Sequence, residues 1–360
     1  MGKFFATIDW VIVLLLIYLG CFGLFLLLTV SKALFFQQLA YLFVGFLFLF
    51  LCSRIDALVI RWFAPIGYVI GILFLALSYI GPNIRGATRW IALGSAQFQP
   101  SELAKPLFLL AFTYFIIRYS PRKLQNLPLH IILFLIPFIL VFKQPDLGSS
   151  IVYSCFWLAM LLAGGLPMSI LLTVILCMAL LLPGAWFVLL PYQKQRILTF
   201  LNPAIDPKGA GYNALQAMIA VGSGQLFGRG LGRGTQSHLR FLPEYHTDFI
   251  FASLIEELGF AGGIMVFAGY IALLFRIIQP YFRGIRQEAG IFVYSLGLFS
   301  MLLSQIFINT GMNMGLIPIT GITLPFISYG GSSILSSSIA FGFLWALERG
   351  RTDESTIAIG

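Results

Sequence analysis

Thr320-Gly321-Ile322-Thr323-Leu324-Pro325-Phe326-Ile327-Ser328-Tyr329-Gly330-Gly331-Ser332-Ser333 is a Gly-, Pro- and Ser-dense stretch set between two long apolar runs. Pro325 lacks a backbone donor, and Gly330-Gly331 permits a sharp turn or a close backbone approach. The flanking runs have the length and composition of membrane spans. At membrane depth, irregular backbone is tolerated only where protein buries it or where it lines a watery cavity. The stretch therefore marks a cavity mouth in a helical membrane protein, not a wall facing lipid.

The rest of the chain agrees with that class. Of its 360 residues, 59% are hydrophobic and 10% charged, with a mean hydropathy of +0.95. A soluble domain carries about 25% charged residues. The apolar runs are continuous, whereas a membrane barrel shows short alternating segments. The expectation is an all-α polytopic membrane protein, a single integral domain over residues 1–360. About ten spans are predicted, near 10–30, 35–53, 58–80, 102–118, 127–143, 148–164, 168–191, 249–275, 290–309 and 328–347. The first run exceeds the core of a signal peptide and no cleavage-like site follows it, so it reads as a retained span. Cys21, Cys52, Cys155 and Cys177 lie in or at the ends of apolar runs without CxxC spacing. They suggest neither a disulfide framework nor a metal site.

Ten spans put both termini on one side. Eleven cations then share that side: Lys3, Arg54, Arg61, Arg118, Arg122, Lys123, Arg276, Arg283, Arg286, Arg349 and Arg351. Short loops on the other side hold five. The positive-inside rule places both termini in the cytoplasm. Between spans 7 and 8 runs a long extracytoplasmic loop, residues 192–247, rich in Gly and Pro. Its six cations, Lys194, Arg196, Lys208, Arg229, Arg233 and Arg240, suggest an anionic ligand at the outer face. Solvated surface side chains are the plainer alternative. The net charge of +9 carries no aromatic-basic pattern, so nucleic acid is not implied.

Four polar clusters are candidates for chemistry. In Leu242-Pro243-Glu244-Tyr245-His246-Thr247-Asp248-Phe249, a polar loop meets an apolar run. Thr247 or Asp248 can cap the helix that follows. Alternatively, Asp248 is a carboxylate at the membrane boundary, where desolvation raises its pKa toward that of a useful general base. On a continuous helix, Glu256 and Glu257 fall about 12–14 Å deeper. Carboxylates inside an apolar span need partners or water, and a helix-packing hydrogen bond is the expected role. In Gln99-Pro100-Ser101-Glu102-Leu103-Ala104-Lys105, Ser101 suits an N-cap and Glu102 pairs with Lys105 at i,i+3. That pair either anchors a helix end or offers Lys105 to a phosphate. Upstream, Trp90 is either interfacial belt or a platform for a sugar ring. In Gln144-Pro145-Asp146-Leu147-Gly148, Asp146 suits a helix start, or faces the cavity of Lys105. The run from Gly222 to Gly234 lacks dinucleotide-fingerprint spacing. Its glycines and Arg229 and Arg233 either cradle an anion or form a mobile loop. His130, His238 and His246 are not spaced as metal ligands.

In this order and nearly end to end, these segments resemble the SEDS family (shape, elongation, division and sporulation). The match rests on Arg89-Trp90-Ile91, Gln99-Pro100-Ser101-Glu102, Lys105, Gln144-Pro145-Asp146-Leu147-Gly148, Tyr212-Asn213 with Gln216, Gly222-Ser223-Gly224, Gly228 to Gly234, Leu242-Pro243-Glu244 with His246 to Ile250, and Thr320 to Ser333. The run Gly311-Met312-Asn313-Met314-Gly315-Leu316-Ile317-Pro318 looks more like the rod-elongation branch than the division branch. The resemblance implies a ten-span fold in the bacterial plasma (inner) membrane. It implies a peptidoglycan glycosyltransferase that joins lipid II into β-1,4 glycan strands and releases undecaprenyl pyrophosphate. It makes Asp248 the essential carboxylate. Trp90, Glu102, Lys105, Asp146, Arg196, Arg229, Arg233, Ser328 and Ser332 become candidates for substrate binding. No cofactor is evident, although a divalent cation could assist. One departure is Gln37-Gln38, where family members often carry a basic residue beside Gln; a phosphate contact there is weakened. The chain offers no soluble domain for peptide cross-linking, so a class B penicillin-binding protein is the expected partner. Two other readings stand beside the enzyme. A lipid II flippase would use Glu256, Glu257 and the broken segment at Pro325. A scaffold for the transpeptidase would tolerate loss of Asp248.

Overall fold

The structure is a computed structural model that describes residues 8–81, 89–93, 96–188, 191–206, 209–282 and 288–357. Lys3, Arg85, Lys208, Arg283 and Arg286 lie outside them. The elements in chain order are α1 (Trp10–Val30), α2 (Lys32–Cys52), α3 (Ala57–Leu77), the strands β1 (Ile91–Leu93) and β2 (Ala96–Phe98), α4 (Pro100–Arg118), α5 (Leu127–Lys143), α6 (Leu147–Ala163), α7 (Met168–Val188), α8 (Pro191–Leu201), α9 (Ala210–Ser223), α10 (Thr235–His238), α11 (Ile250–Phe282), α12 (Ala289–Asn313) and α13 (Gly331–Ile357). Ten of the helices correspond to the ten predicted spans. Among the described residues, seven are long and apolar enough to cross a membrane, and α6 is a shorter apolar helix.

Burial sorts the bundle into a centre and a rim. The apolar window of α4 is 72% buried, against 22% for α2 and for α5. Helix α4 packs on α3, α6, α12 and α13, while α13 also packs on α2 and α11 packs on α1. The rim keeps large apolar side chains outward, such as Phe43 and Trp62. That is the pattern expected where the solvent is hydrocarbon. At the centre, α4 begins with polar residues that are nevertheless buried: Ser101, Glu102 and Lys105. A polar helix start in the middle of a bundle needs partners from its neighbours. That end of the bundle, where α1 finishes and α4 and α6 begin, is called here the site end.

Three details depart from the sequence expectation. The fold is not purely helical: β1 and β2 form a short antiparallel hairpin, with Ile91 opposite Phe98 and Leu93 opposite Ala96. The long loop predicted over 192–247 contains α8, α9 and α10. Helix α11 is not one rod. Gly259, at φ 69° and ψ −169°, breaks it into a short piece over 250–258 and a membrane-spanning piece over 260–282. Only glycine adopts that conformation readily.

Candidate active site

The segment Thr320–Ser333 folds as the sequence suggested, as irregular backbone buried between helices. Its polar groups are bound from three sides. Ser328 Oγ–H donates to Thr247 O at 2.7 Å and accepts from Leu324 N at 2.8 Å. Gln38 Nε2–H donates to Ser328 O at 3.0 Å. Tyr329 N–H donates to His246 O, and its phenol donates to Gln37 Oε1 at 2.6 Å. The two glutamines of α2 thus hold this segment in place.

The same segment sits against Asp248. Gly321, at φ +75°, lies close to both Asp248 Oδ2 and Arg89 Nη1; a Cβ there would lie 3.3 Å and 3.8 Å from them. Asp248 itself is half-buried, two residues before α11. Its backbone carbonyl accepts from Asn309 Nδ2 at 2.9 Å and from Asn313 Nδ2 at 3.0 Å. Both asparagines are fully buried on one face of α12. Asn309 also donates to Ile322 O at 2.7 Å, which ties the carboxylate segment to the Gly321 turn. Asn313 Oδ1 accepts from Ala252 N at 3.1 Å, filling a capping role at the start of α11 from another helix. The Thr247 hydroxyl, an expected cap, is turned to Glu244 instead.

A buried polar cluster lies behind this turn. Asp146 is completely buried and is the N-cap of α6, accepting from Ser149 N at 3.1 Å. Its Oδ2 also accepts from Gln99 Nε2 at 2.8 Å, Ser149 Oγ at 2.8 Å and Ser101 Oγ at 3.3 Å. Ser101 is therefore not a cap: α4 begins before it, with Gln99 at the N-cap position. Arg89 Nη1 stands 4.0 Å from Asp146 Oδ1, so one guanidinium lies close to both Asp146 and Gly321. Lys105 Nζ meets Glu102 Oε1 at 2.6 Å, with both side chains buried. The pair is buried within the bundle. Glu102 Oε2 has no partner among the described residues and remains available to a donor. Gln99 N–H donates to Ser332 Oγ at 3.0 Å, and Ser336 Oγ–H donates to Glu102 O at 2.6 Å, fixing α4 against α13.

Beside the cluster opens an apolar groove of about 510 Å³, lined by Tyr41, Phe74, Ile91, Phe98, Leu103 and Leu335. Pro100, Gly331 and Ser332 also line it, with the Ser332 hydroxyl the polar group among them. Trp90 is half-buried and leads directly into the hairpin strand that supplies Ile91.

The remaining candidates lie elsewhere. Arg196 lines a small cavity with Thr199, Met218, Met312 and Ile317. The glycine run is folded onto α11, and the anions it cradles are the chain's own. Glu256 Oε1 accepts from Thr235 N at 2.7 Å and Gln236 N at 2.9 Å. Glu257 Oε2 accepts from Gly232 N at 3.0 Å, and Glu257 Oε1 meets His238 Nε2 at 3.0 Å. Arg229 and Arg233 point outward and are exposed. Sequence reasoning missed Arg89 as a site residue and missed Asn309 and Asn313. Two asparagines four residues apart in an apolar span were the available signal.

The geometry can be compared with known proteins. The sequence profile of the family described as "Cell cycle protein", FTSW_RODA_SPOVE, matches residues 4–353. The chain belongs to the FtsW/RodA/SpoVE family. A family relative, "Peptidoglycan glycosyltransferase MrdB" of Escherichia coli (strain K12), is 39% identical over 310 residues, covering 85% of this chain and 83% of the relative. Another, "Probable peptidoglycan glycosyltransferase FtsW" of Coxiella burnetii, is 37% identical over 327 residues, covering 86% and 85%. Among solved structures, a chain from a study of the "structural coordination of polymerization and crosslinking by a peptidoglycan synthase complex" is 31% identical. It superposes with a TM-score of 0.82, covering 95% of this chain and 98% of that one. Thermus thermophilus "Rod shape determining protein RodA" is 28% identical with a TM-score of 0.71, covering 95% and 97%. The FtsW/RodA/SpoVE fold, expected from the sequence signature, is thus the fold of this chain.

Among the described residues, no group of three His, Cys, Asp or Glu side chains could hold a metal ion. Asp146 is already saturated by donors, and Glu102 is paired with Lys105.

Proposed function

We propose that this chain is a peptidoglycan glycosyltransferase that polymerises lipid II into β-1,4 glycan strands and releases undecaprenyl pyrophosphate. The names of its relatives and its family membership support the reaction class. One observation carries the residue assignment: Asp248 Oδ2 and Arg89 Nη1 both lie close against Gly321, so a base and a cation stand side by side at the same turn.

In the proposed reaction, a hydroxyl of the acceptor sugar attacks the anomeric carbon of the donor. Asp248 accepts the hydroxyl proton as the new C–O bond forms. The bond to the pyrophosphate oxygen breaks, and its electron pair leaves with the polyprenyl pyrophosphate. An α-linked donor then gives a β-linked product in one inverting displacement. General-base catalysis supplies about 10²–10⁴-fold. Positioning and charge neutralisation supply the rest. Arg89 is the best placed cation for the leaving group. Lys105, with its charge shared by Glu102, supports the field behind it. Glu102 Oε2, buried and without a donor among the described residues, suits a sugar hydroxyl or amide N–H. The apolar groove suits the polyprenyl chain. No step is routed through a metal ion.

The elongation role is favoured by the run Gly311–Pro318, and the partner is proposed as a class B penicillin-binding protein. Both termini face the cytoplasm and the site end faces outward on this reading. Glu256 and Glu257, which best suggested a transporter, are saturated by the docked loop and offer no relay at the bilayer midplane.

The test is synthesis of glycan strands from labelled lipid II by the purified chain with its transpeptidase partner. Wild type should give product and Asp248→Asn should give none, with folding and partner binding unchanged. Equal product from both would remove Asp248 as the base. No product from folded wild type, with flipping or with partner binding alone, would move the reading to a transporter or to a scaffold.

A further inference from the structure

Gln225-Leu226-Phe227-Gly228-Arg229-Gly230-Leu231-Gly232-Arg233-Gly234 alternates glycine with large apolar and basic side chains. The segment is pinned on both sides of the Gly259 break. Gln225 O and Leu226 O accept from Phe260 N and Ala261 N, the first donors of the membrane-spanning piece. Arg229 N and Gly230 N donate to Glu256 O and Glu257 O, the last acceptors of the short piece. These are the groups that a helix break leaves without intrahelical partners. Gly228 packs so closely on Glu257 and Gly259 that a Cβ would collide with their backbone.

With the backbone turned inward, the side chains face out. Leu226 is 63% exposed, Phe227 82% and Leu231 52%. Arg229 and Arg233 are exposed among them. Arg229 Nη1 donates to Thr235 Oγ1 at 3.0 Å, while the nearby carboxylates Glu256 and Glu257 are buried and occupied by the segment's own N–H groups and hydroxyls.

The height of the segment is fixed by two membrane spans. Leu226 is bonded to the first turn of the 260–282 piece. Gly232 lies against Thr29, one residue from the end of α1. The segment therefore sits where the apolar core of one leaflet meets water. Its apolar surface continues onto the span through Phe260 and Ile264, 59% and 53% exposed.

We propose that Gln225–Gly234 is an interfacial lipid anchor. Leu226, Phe227 and Leu231 enter the boundary layer of the leaflet at the site end. Arg229 and Arg233 meet the phosphates of its anionic phospholipids. Large apolar side chains with interleaved arginines suit that layer, where chains are buried and guanidinium groups reach phosphate. A water-exposed loop has no use for Phe227. The anchor is tied to the site through main-chain bonds, since α11 starts two residues after Asp248.

The test reads lipid contact, not turnover, and so stands or falls apart from the proposed chemistry. Phe227→Cys is labelled with a nitrobenzoxadiazole fluorophore in the full chain, with its four native cysteines replaced by alanine. The protein is placed in nanodiscs of phosphatidylethanolamine and phosphatidylglycerol. The expected result is blue-shifted emission, quenched by a spin label near the lipid headgroup and little affected by aqueous iodide. Water-like emission quenched by iodide would overturn the anchor. Protection that arises only after the transpeptidase is added would also overturn it, making the surface a protein interface. Arg229→Gln with Arg233→Gln should reduce phosphatidylglycerol retained in native mass spectra of the intact protein. Unchanged retention would remove the arginines from lipid binding.

Discussion

At the scale of the residue, Asp248 is placed by its main chain. Asn309 and Asn313 donate to its carbonyl from α12, and Asn309 binds Ile322 O as well. Removing one donor from a buried carbonyl costs about 1–3 kcal/mol. The Asn309→Ala variant should therefore lower the melting temperature and cut kcat for strand synthesis by about tenfold, with KM little changed. Thermal unfolding and initial rates on lipid II check this; a rise in KM at constant kcat would contradict it. Asp248 was legible because a polar loop runs into an apolar helix there. The asparagines were less so, because their partners lie 61 and 65 residues away and no local pattern encodes that pairing. Arg89 was quoted in the sequence signature, but its position between Asp146 and Gly321 depends on four elements meeting.

At the scale of the element, α11 shows why a readable span can be misread. From Ile250 onward the run is apolar apart from Glu256 and Glu257, and Gly259, with Gly262 and Gly263 close behind, does not announce a break. The break is stable because a segment some thirty residues upstream supplies the missing donors and acceptors. The carboxylates predicted to lie inside the span instead mark its upper edge. Glu256 accepts two backbone N–H bonds through one oxygen, and charged bonds of this kind contribute about 1.5–3 kcal/mol each. Glu256→Ala should raise hydrogen exchange at Thr235 and Gln236 by roughly a hundredfold or more. Exchange at Leu109 and Phe112 in α4 should not move. Mass spectrometry of the exchanged protein in nanodiscs reads both segments; equal increases in the two would show global loosening instead of a released loop.

At the scale of the whole molecule, the helices at the ten predicted spans were legible from apolar run length, seven of them long and apolar enough to cross a membrane among the described residues, and the polar clusters from charge inside those runs. The hairpin β1–β2 was not, since two three-residue strands fall below any periodicity. Yet the hairpin supplies a wall of the groove, through Ile91 and Phe98. Filling that groove with Leu103→Trp should weaken use of lipid II bearing a full polyprenyl chain by roughly tenfold in kcat/KM, and use of a short-chain analogue much less. Rates on the two donors decide it; equal losses would place the polyprenyl chain elsewhere. The broken α11 has one more consequence, for bilayers of unequal thickness. A spanning helix adapts to a thicker or thinner hydrocarbon layer by tilting. A continuous 33-residue rod would carry that tilt straight to the carboxylate at its tip. At Gly259 the chain changes direction, and the upper piece is held by the Gln225–Gly230 segment and by Asn313 of α12, so the bundle fixes it and not the lower piece alone. Turnover in bilayers of increasing acyl length should accordingly stay level, so that a wall-building enzyme keeps pace as its membrane changes composition.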